Sequence, residues 1–445
     1  MEIHAVNLVY DFCLMSLLLF LSKIIRIKVK AVQKLFIPSA LIAGFLGMLL
    51  GEQGLNILPF SSEMSSYPGI LIAILFASMF LGKQEKTSFK SMISNVGDTF
   101  FVNAAAEMSQ FGFFIILGAV LLPVLFSGIH KAFGLMLPAG FIGGHGTAAA
   151  VGEALGVSGW DEALSVGQTF ATIGLLGGIG IGIILVNIGL RKGYVDSTGD
   201  VKKLMSEMSS GLVPEEERQS IGDATVNPMS IDPLTWHFAL ILIAVGAAYL
   251  VNMGLRTLIP SLAFPLYGLA LLCSVVLQKG LKLVKMDSYV DRKVVTHIGS
   301  SATDYLIAFG IATTKVSVVV KYAKPILFLS VLGFLFIVAW HFTVSHRFFR
   351  DHWYERSLYI FGMSSGVMAT GVILLRIVDP EFRTGVLEDF GIAWIFMSVV
   401  DLLIVSLAPP LVMSGYGLVF GVCLFVLAGC CLLLSGKIFG VQKRK

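Results

Sequence analysis

The run GFIGGHGTAAAVG, Gly140 to Gly152, interrupts a chain that is apolar almost throughout. Glycines let other atoms approach the backbone, and free N–H groups at a helix start present the positive end of a dipole to an anion. Gly143, Gly144, His145, Gly146 and Thr147 are therefore candidates for holding an anionic ligand. His145 could equally order the loop through a structural hydrogen bond. A second such stretch, FGMSSGVMATG from Phe361 to Gly371, sets Ser364, Ser365 and Gly366 where the first has bare backbone. Arg376 follows in VILLRIVDPEF. Its planar fork suits two-point capture of a carboxylate; alternatively it anchors the end of the segment at an interface, with Asp379 as its partner. Acidic side chains inside apolar runs are costly in a membrane and mark function by default. Asp401 in IFMSVVDLLIVSLAPP is the clearest, and Glu107 in NAAAEMSQFG and Asp304 in SSATDYLIAFG are weaker instances. Each could couple an ion or pair with an interior polar group.

Gly362 to Gly366, GMSSG, also fits the G-x-S-x-G nucleophile elbow. That elbow needs a strand, a turn and a helix, with an acid and a histidine to activate the serine. The flanks here are hydrophobic helices with no alternating strand pattern, so an enzyme is not expected.

Composition explains where these residues must sit. Of 445 residues, 56% are hydrophobic and 13% charged, and mean hydropathy is +0.86. A soluble domain would be about one quarter charged, whereas repeated apolar runs of about 20 residues match the hydrocarbon thickness of a bilayer. The expected class is an all-α polytopic membrane protein. A net charge of +4 carries no signal for nucleic acid. The five cysteines fall inside or beside apolar segments without metal-ligand spacing, and their odd number argues against a disulfide framework. No resident cofactor is expected. MEIHAVNLVYDF lacks the basic start of a cleaved signal peptide, and basic residues instead follow the first apolar run in KIIRIKVKAVQK.

Apolar segments run over 5–22, 35–51, 67–82, 99–127, 163–190, 235–255, 262–278, 298–314, 325–345, 388–410 and 411–435. With the N-terminus outside, the C-terminus inside and neither glycine-rich stretch crossing fully, all but five of the 32 basic residues fall inside. The five are Lys131, Arg256, Lys315, Lys321 and Lys324. This positive-inside bias predicts two re-entrant hairpins, over about 134–157 and 358–378. The first enters from outside and the second from inside, so that their tips can meet near mid-membrane. Pro38 lies 106 residues before Gly144, and Pro265 lies 100 before Ser365. That echo predicts an inverted repeat, the plan of many secondary transporters. The divisions are 1–190 for the first repeat, 191–234 for a cytoplasmic linker, 235–410 for the second repeat and 411–445 for an extra C-terminal helix with a basic tail. Irregular backbone at membrane depth must be covered by protein or line a wet cavity, which suits a ligand-binding hairpin tip.

GGHGTAAAVGEAL followed by TFATIGLLGGIGIG, IPSALIAG early in the chain and the aspartate of SVVDLL resemble the bacterial sodium/glutamate symporter family. The resemblance implies a homodimeric, elevator-type, sodium-coupled carrier of an acidic amino acid in the inner membrane, built from two inverted five-helix repeats with paired re-entrant loops. It implies sodium as the coupling ion, with Asp401 as a ligand or coupling site and Thr169 and Thr172 as its first-half counterparts. The related citrate carriers are similar in placing a substrate-binding arginine after the second glycine loop, which bears on Arg376. The second hairpin departs from the family's GxGLGxTPTA pattern, reading SSGVMATGVIL, and an eleventh span exceeds the usual ten. A sodium- or proton-coupled dicarboxylate carrier and a passive anion channel are the alternatives.

Overall fold

The structure is a computed structural model that describes residues 5–34, 37–82, 89–195, 212, 215, 218, 220–258, 266–379 and 383–441. Residues 196–211 of the expected linker, the Pro265 counterpart of Pro38 and the basic tail from 442 on lie outside the described residues.

The described residues form helices and contain no strand. In chain order the longer ones are α1 Ala5–Lys28, α2 Ser39–Leu50, α3 Tyr67–Ser78, α4 Phe89–Val120, α5 Phe133–Phe141 and α6 Gly144–Val157. They continue with α7 Ala163–Lys192, α8 Pro233–Leu258, α9 Leu266–Leu283, α10 Arg292–Ala312 and α11 Ala323–Trp340. The last four are α12 Trp353–Gly366, α13 Met368–Val378, α14 Val386–Met413 and α15 Gly417–Phe439.

Among the described residues, eight helices are long and apolar enough to cross a membrane: α1, α4, α7, α8, α9, α11, α14 and α15. Three segments expected as spans fall short. α2 and α3 have 12 residues each, about 18 Å of rise against a hydrocarbon core of about 30 Å. Pro38 and Gly51 bound α2, and α3 carries a proline in its first turn. α10 has 21 residues, but Arg292, Lys293, His297 and Asp304 make it too polar. α10 packs against both short helices, so it supplies the cover that their own length does not.

The chain divides into two compact units, each drawing on both halves of the sequence. The first comprises residues 1–25, 38–86 and 212–315, and so holds most of α1 with α2, α3, α8, α9 and α10. Its core joins Ala73, Ala77 and Leu81 to Ile241, Ala244, Ala248 and Ala270. Asp291 caps α10 by accepting from the Val294 N–H at 3.0 Å, and Arg292 donates to the carbonyls of Ser78 and Leu81 at the end of α3. Asp304 belongs to this unit, within electrostatic reach of Lys23.

The second unit comprises residues 26–37, 87–211 and 316–445. Here α5 with α6, and α12 with α13, are pairs of short helices joined at tight turns. Their arms of 9, 14, 14 and 11 residues cannot span a bilayer singly. The second pair begins at Trp353, about a turn before the expected start. The helix expected as an addition, α15, runs along α4 in close contact. A Cβ on Gly112 would come within 2.7 Å of the Gly421 carbonyl, so these backbones approach as small residues in membrane helices allow. α15 is part of the body of this unit.

Candidate functional site

The second unit holds every sequence-derived site residue except Asp304, which belongs to the first. α7 is the platform. Its face lacks side chains at Gly174, Gly178 and Gly182, and the second hairpin fills the space. Added Cβ atoms would fall 2.4 Å from the Ser365 carbonyl oxygen, 2.5 Å from Ser365 Oγ and 2.5 Å from a Leu374 methyl. Tyr354 Oη donates to the Leu185 carbonyl at 2.6 Å, tying the start of α12 to the same helix. The first hairpin lies on α7 through Gly140, whose Cβ would meet Ala171 N at 2.7 Å.

His145 serves that docking. Its Nε2 is 3.0 Å from Thr172 Oγ1, and its carbonyl accepts from Gln168 Nε2 at 3.1 Å. These contacts tie the first hairpin to α7 through Thr172 and Gln168. Thr169 donates its hydroxyl to the Ser165 carbonyl at 2.7 Å. Thr147 is buried beside Gly143, where a Cβ would overlap the Thr147 side chain; Gly146 follows Gly144 and His145 in the first turn of α6.

The hairpin turns meet. Gly144 has φ +60 and Val367 has φ +124, and a Cβ on Gly144 would lie 2.3 Å from Val367 Cγ1. Ser364, Ser365 and Gly366 close α12 just before that turn. Ser365 spends its hydroxyl on the Phe361 carbonyl at 2.7 Å. Ser364 Oγ and Thr370 Oγ1 are buried without a hydrogen-bond partner.

One face of α4 completes the site. Thr99, Asn103, Glu107 and Gln110 are spaced at helical turns and all are at most 1% exposed. Thr99 accepts from Arg356, which also pairs with Asp389 at 2.6 Å and Asp351 at 3.0 Å. That network fixes the start of α12 against α4 and α14. Gln110 Nε2 donates to the Ser364 carbonyl at 3.1 Å, at the other end of the same arm. Between them Glu107 faces Asp401 of α14. Asn103 Oδ1 and both carboxylate oxygens of Glu107 have no hydrogen-bond partner of good geometry. Buried polar atoms are ordinarily satisfied, so orphans gathered on α4 and the hairpin describe a surface suited to a polar ligand or an ion.

Arg376 lies eight residues past the start of α13, about 12 Å along the arm from the turn. Its Nε is buried and partnerless. The suggested partner Asp379 is taken elsewhere, accepting from the N–H groups of Arg383 at 2.9 Å and Thr384 at 3.0 Å and from the Thr384 hydroxyl. The GMSSG stretch lies within the last turns of α12, not on a strand-to-helix elbow.

Sequence reasoning missed Asn103, Gln110, Gln168 and Thr370. The first two had a signal: polar residues at i, i+4 and i+7 along an apolar helix share one face. Gln168 and Thr370 show themselves only through the packing of α7 and the second hairpin.

An all-helical polytopic membrane protein with two short helical hairpins meeting tip to tip is a transporter-like architecture. The family model for the sodium/glutamate symporter matches residues 4–370, and the chain belongs to that family. No curated protein matches it. The matched residues end inside the second hairpin, so Arg376, Asp401 and the helices α14 and α15 lie beyond them.

Proposed function

We propose that this chain is a sodium-coupled symporter of an acidic amino acid, glutamate or a close analogue, working by alternating access in the cytoplasmic membrane. The observation that carries the reading is the contact of Gly144 with Val367, which brings two hairpin turns together beside the buried polar face of α4. Gly143, Gly144, Gly146, Thr147, Ser364 and Gly366 offer backbone and hydroxyl groups to the substrate, while His145 and Ser365 shape the turns. Arg376 takes a substrate carboxylate. Asp401, with Thr169 and Thr172, takes sodium, whose preference is for hard oxygen ligands.

The elevator mechanism is part of this proposal. Its support is that both hairpins fall in one compact unit and that each unit draws on both halves of the chain, an arrangement compatible with intertwined inverted repeats. The family resemblance supports a homodimer. The distribution of Lys and Arg supports an outside N-terminus and an inside C-terminus.

Counterflow in proteoliposomes tests the substrate and the coupling together. Labelled glutamate should accumulate against unlabelled glutamate in the presence of sodium and fail without it. Counterflow of dicarboxylates alone would favour the dicarboxylate carrier, and flux that never accumulates substrate would favour a channel.

A further inference from the structure

Every exposed residue of α10 is polar. Lys293, Thr296, His297, Ser300, Ser301 and Asp304 follow one another at the spacing of a single helix face. The opposite face, with Val295, Gly299, Ala302, Leu306 and Phe309, is buried. Glycines set how closely that face is held. A Cβ on Gly299 would lie 2.2 Å from Ser78 Oγ of α3, and one on Gly44 of α2 would lie 2.7 Å from Ile311 Cβ. α10 therefore cannot roll to hide its polar side. Other helices of the same unit expose the opposite chemistry, Leu242 and Leu250 on α8 and Leu272 and Val276 on α9, which is the surface expected against lipid.

We propose that the polar face of α10 lines an aqueous vestibule, which admits hydrated cations from the Lys293 end to mid-membrane depth, with Asp304 at its closed end. At 21 residues α10 rises about 30 Å, the thickness of the hydrocarbon core. Asp304 lies about 16 Å along the helix from Lys293. Hydroxyl, imidazole and carboxylate groups at such depth face a wet cavity or protein, not hydrocarbon. Lys293, His297 and Asp304 interrupt the small hydroxyl residues, so no second helix can approach along the whole stripe as small-residue faces permit. Water fits it instead. Space already borders the stripe, for His297 and Ser301 share the rim of a cavity of about 630 Å³ with Thr235 and Tyr305. The other walls, Leu8, Phe12 and Ile70 among them, are apolar, so hydration is drawn to the α10 side. Beyond Asp304 the stripe stops. Residues 308–312 are buried, and Ile311 and Ala312 close on Gly44 and Gly47 of α2. A carboxylate at the blind end attracts cations and repels anions. By the bias of Lys and Arg the open end faces the cytoplasm.

Cysteine scanning of the full chain tests this, in membrane vesicles of both orientations and with the five native cysteines replaced by alanine. Thiol reagents attack the thiolate, which forms in water and is suppressed in apolar surroundings. Thr296→Cys, Ser300→Cys and Asp304→Cys should each react with a membrane-impermeant methanethiosulfonate, from the cytoplasmic side only. Ala302→Cys on the buried face should react about tenfold more slowly or less, and so should Leu272→Cys, although Leu272 is 55% exposed. At Ser300→Cys, one turn from Asp304, a cationic reagent should outpace an anionic one by roughly tenfold after correction for their rates with free thiol. Asp304→Asn should abolish that preference. Silence at all three stripe positions in vesicles overturns the proposal; reactivity that returns in detergent would then mean that lipid covers the face. Ser300→Cys that cross-links to a second copy without reacting overturns it as well, because the stripe is then a subunit interface. Equal rates at Leu272→Cys and the stripe would also defeat it. A charge preference that survives Asp304→Asn would exclude Asp304 as its source. Three positions are read, so one variant that fails to fold leaves the others to decide. Labelling needs no substrate, so loss of the glutamate reading would leave this result standing.

Discussion

Gly144 and Val367 touch across the two hairpin turns, and both take a positive φ. Only the glycine does so without strain, since a β-branched residue at φ +124 occupies territory that side chains ordinarily avoid. Each turn is held by the other and by α7, so the meeting point is a place where the surrounding structure over-determines the backbone.

Replacing Gly144 by Ala adds a left-handed alanine, a cost of about 1–2 kcal/mol, and a methyl that collides with Val367. Glutamate uptake should fall about tenfold or more for that cost, with a lowered melting temperature. Gly156→Ala, in the same hairpin but with nothing within 4 Å of the new Cβ, should leave both unchanged. Wild-type uptake by Gly144→Ala would show that the tips need not meet for transport.

Gln110 reaches the hairpin from α4 by one hydrogen bond of 3.1 Å. Gln110→Leu strands the Ser364 carbonyl in a buried site, at about 1–3 kcal/mol. The expected result is a rise of about tenfold in the KM for substrate, with sodium binding in the absence of substrate little altered. Kinetics of uptake at saturating sodium would check it, and an unchanged KM would reduce the contact to packing.

Arg376 should not tolerate Lys. The charge survives but the two-point fork does not, so affinity for glutamate and for dicarboxylates should weaken by about tenfold, the scale of one charge-assisted hydrogen bond. Equal affinities for wild type and Arg376→Lys would exclude this residue from substrate binding.

The packing of α15 on α4 predicts a stability effect remote from the hairpins. Gly421 has room for no side chain, with Ile116 Cγ1 at 2.9 Å and the Gly112 carbonyl at 3.1 Å from an added Cβ. Gly421→Leu should lower the melting temperature in detergent by several degrees, the response to roughly 1–3 kcal/mol of overpacking. A melting temperature equal to wild type would mean that α15 is dispensable to the unit.

Glu162, just before α7, gives a pH dependence with a definite sign. Partial burial pushes its carboxyl up, but hydrogen bonds from Lys321 and Tyr322 and the Lys321 charge outweigh this and hold it below the ordinary value of 4.5. A carboxylate whose folded value is depressed stabilises the fold in full above its unfolded value, and the contribution disappears as pH falls through the folded value. The effect is small, because Lys321 is exposed and the pair is screened by solvent and salt. Wild type should therefore melt slightly above Glu162→Gln at neutral pH, and the difference should vanish below pH 4.5. A difference that grows on acidification would contradict the assignment.

Sequence alone determined a good deal here. Apolar runs of membrane length, the bias of Lys and Arg, and two glycine-rich interruptions led to a polytopic helical protein with two hairpins. GGHGT and its flanks led to the family, because these positions face chemical demands that few other residues meet: an unhindered turn, and backbone close to its neighbours. Apolarity was a poorer guide to span length. α2, α3 and α10 read as crossings, but an apolar run does not show where prolines, glycines and charges end a helix or make it depend on neighbours. What only the tertiary structure decided was pairing. Glu107 and Asp401 are nearly 300 residues apart in the chain, and Gln110 and Ser364 are 254 apart. No local pattern encodes which helix faces which, since packing depends on the shapes of both surfaces together. For the same reason α15, which reads as an addition at the end of the sequence, proves to be a wall of the unit that carries the site.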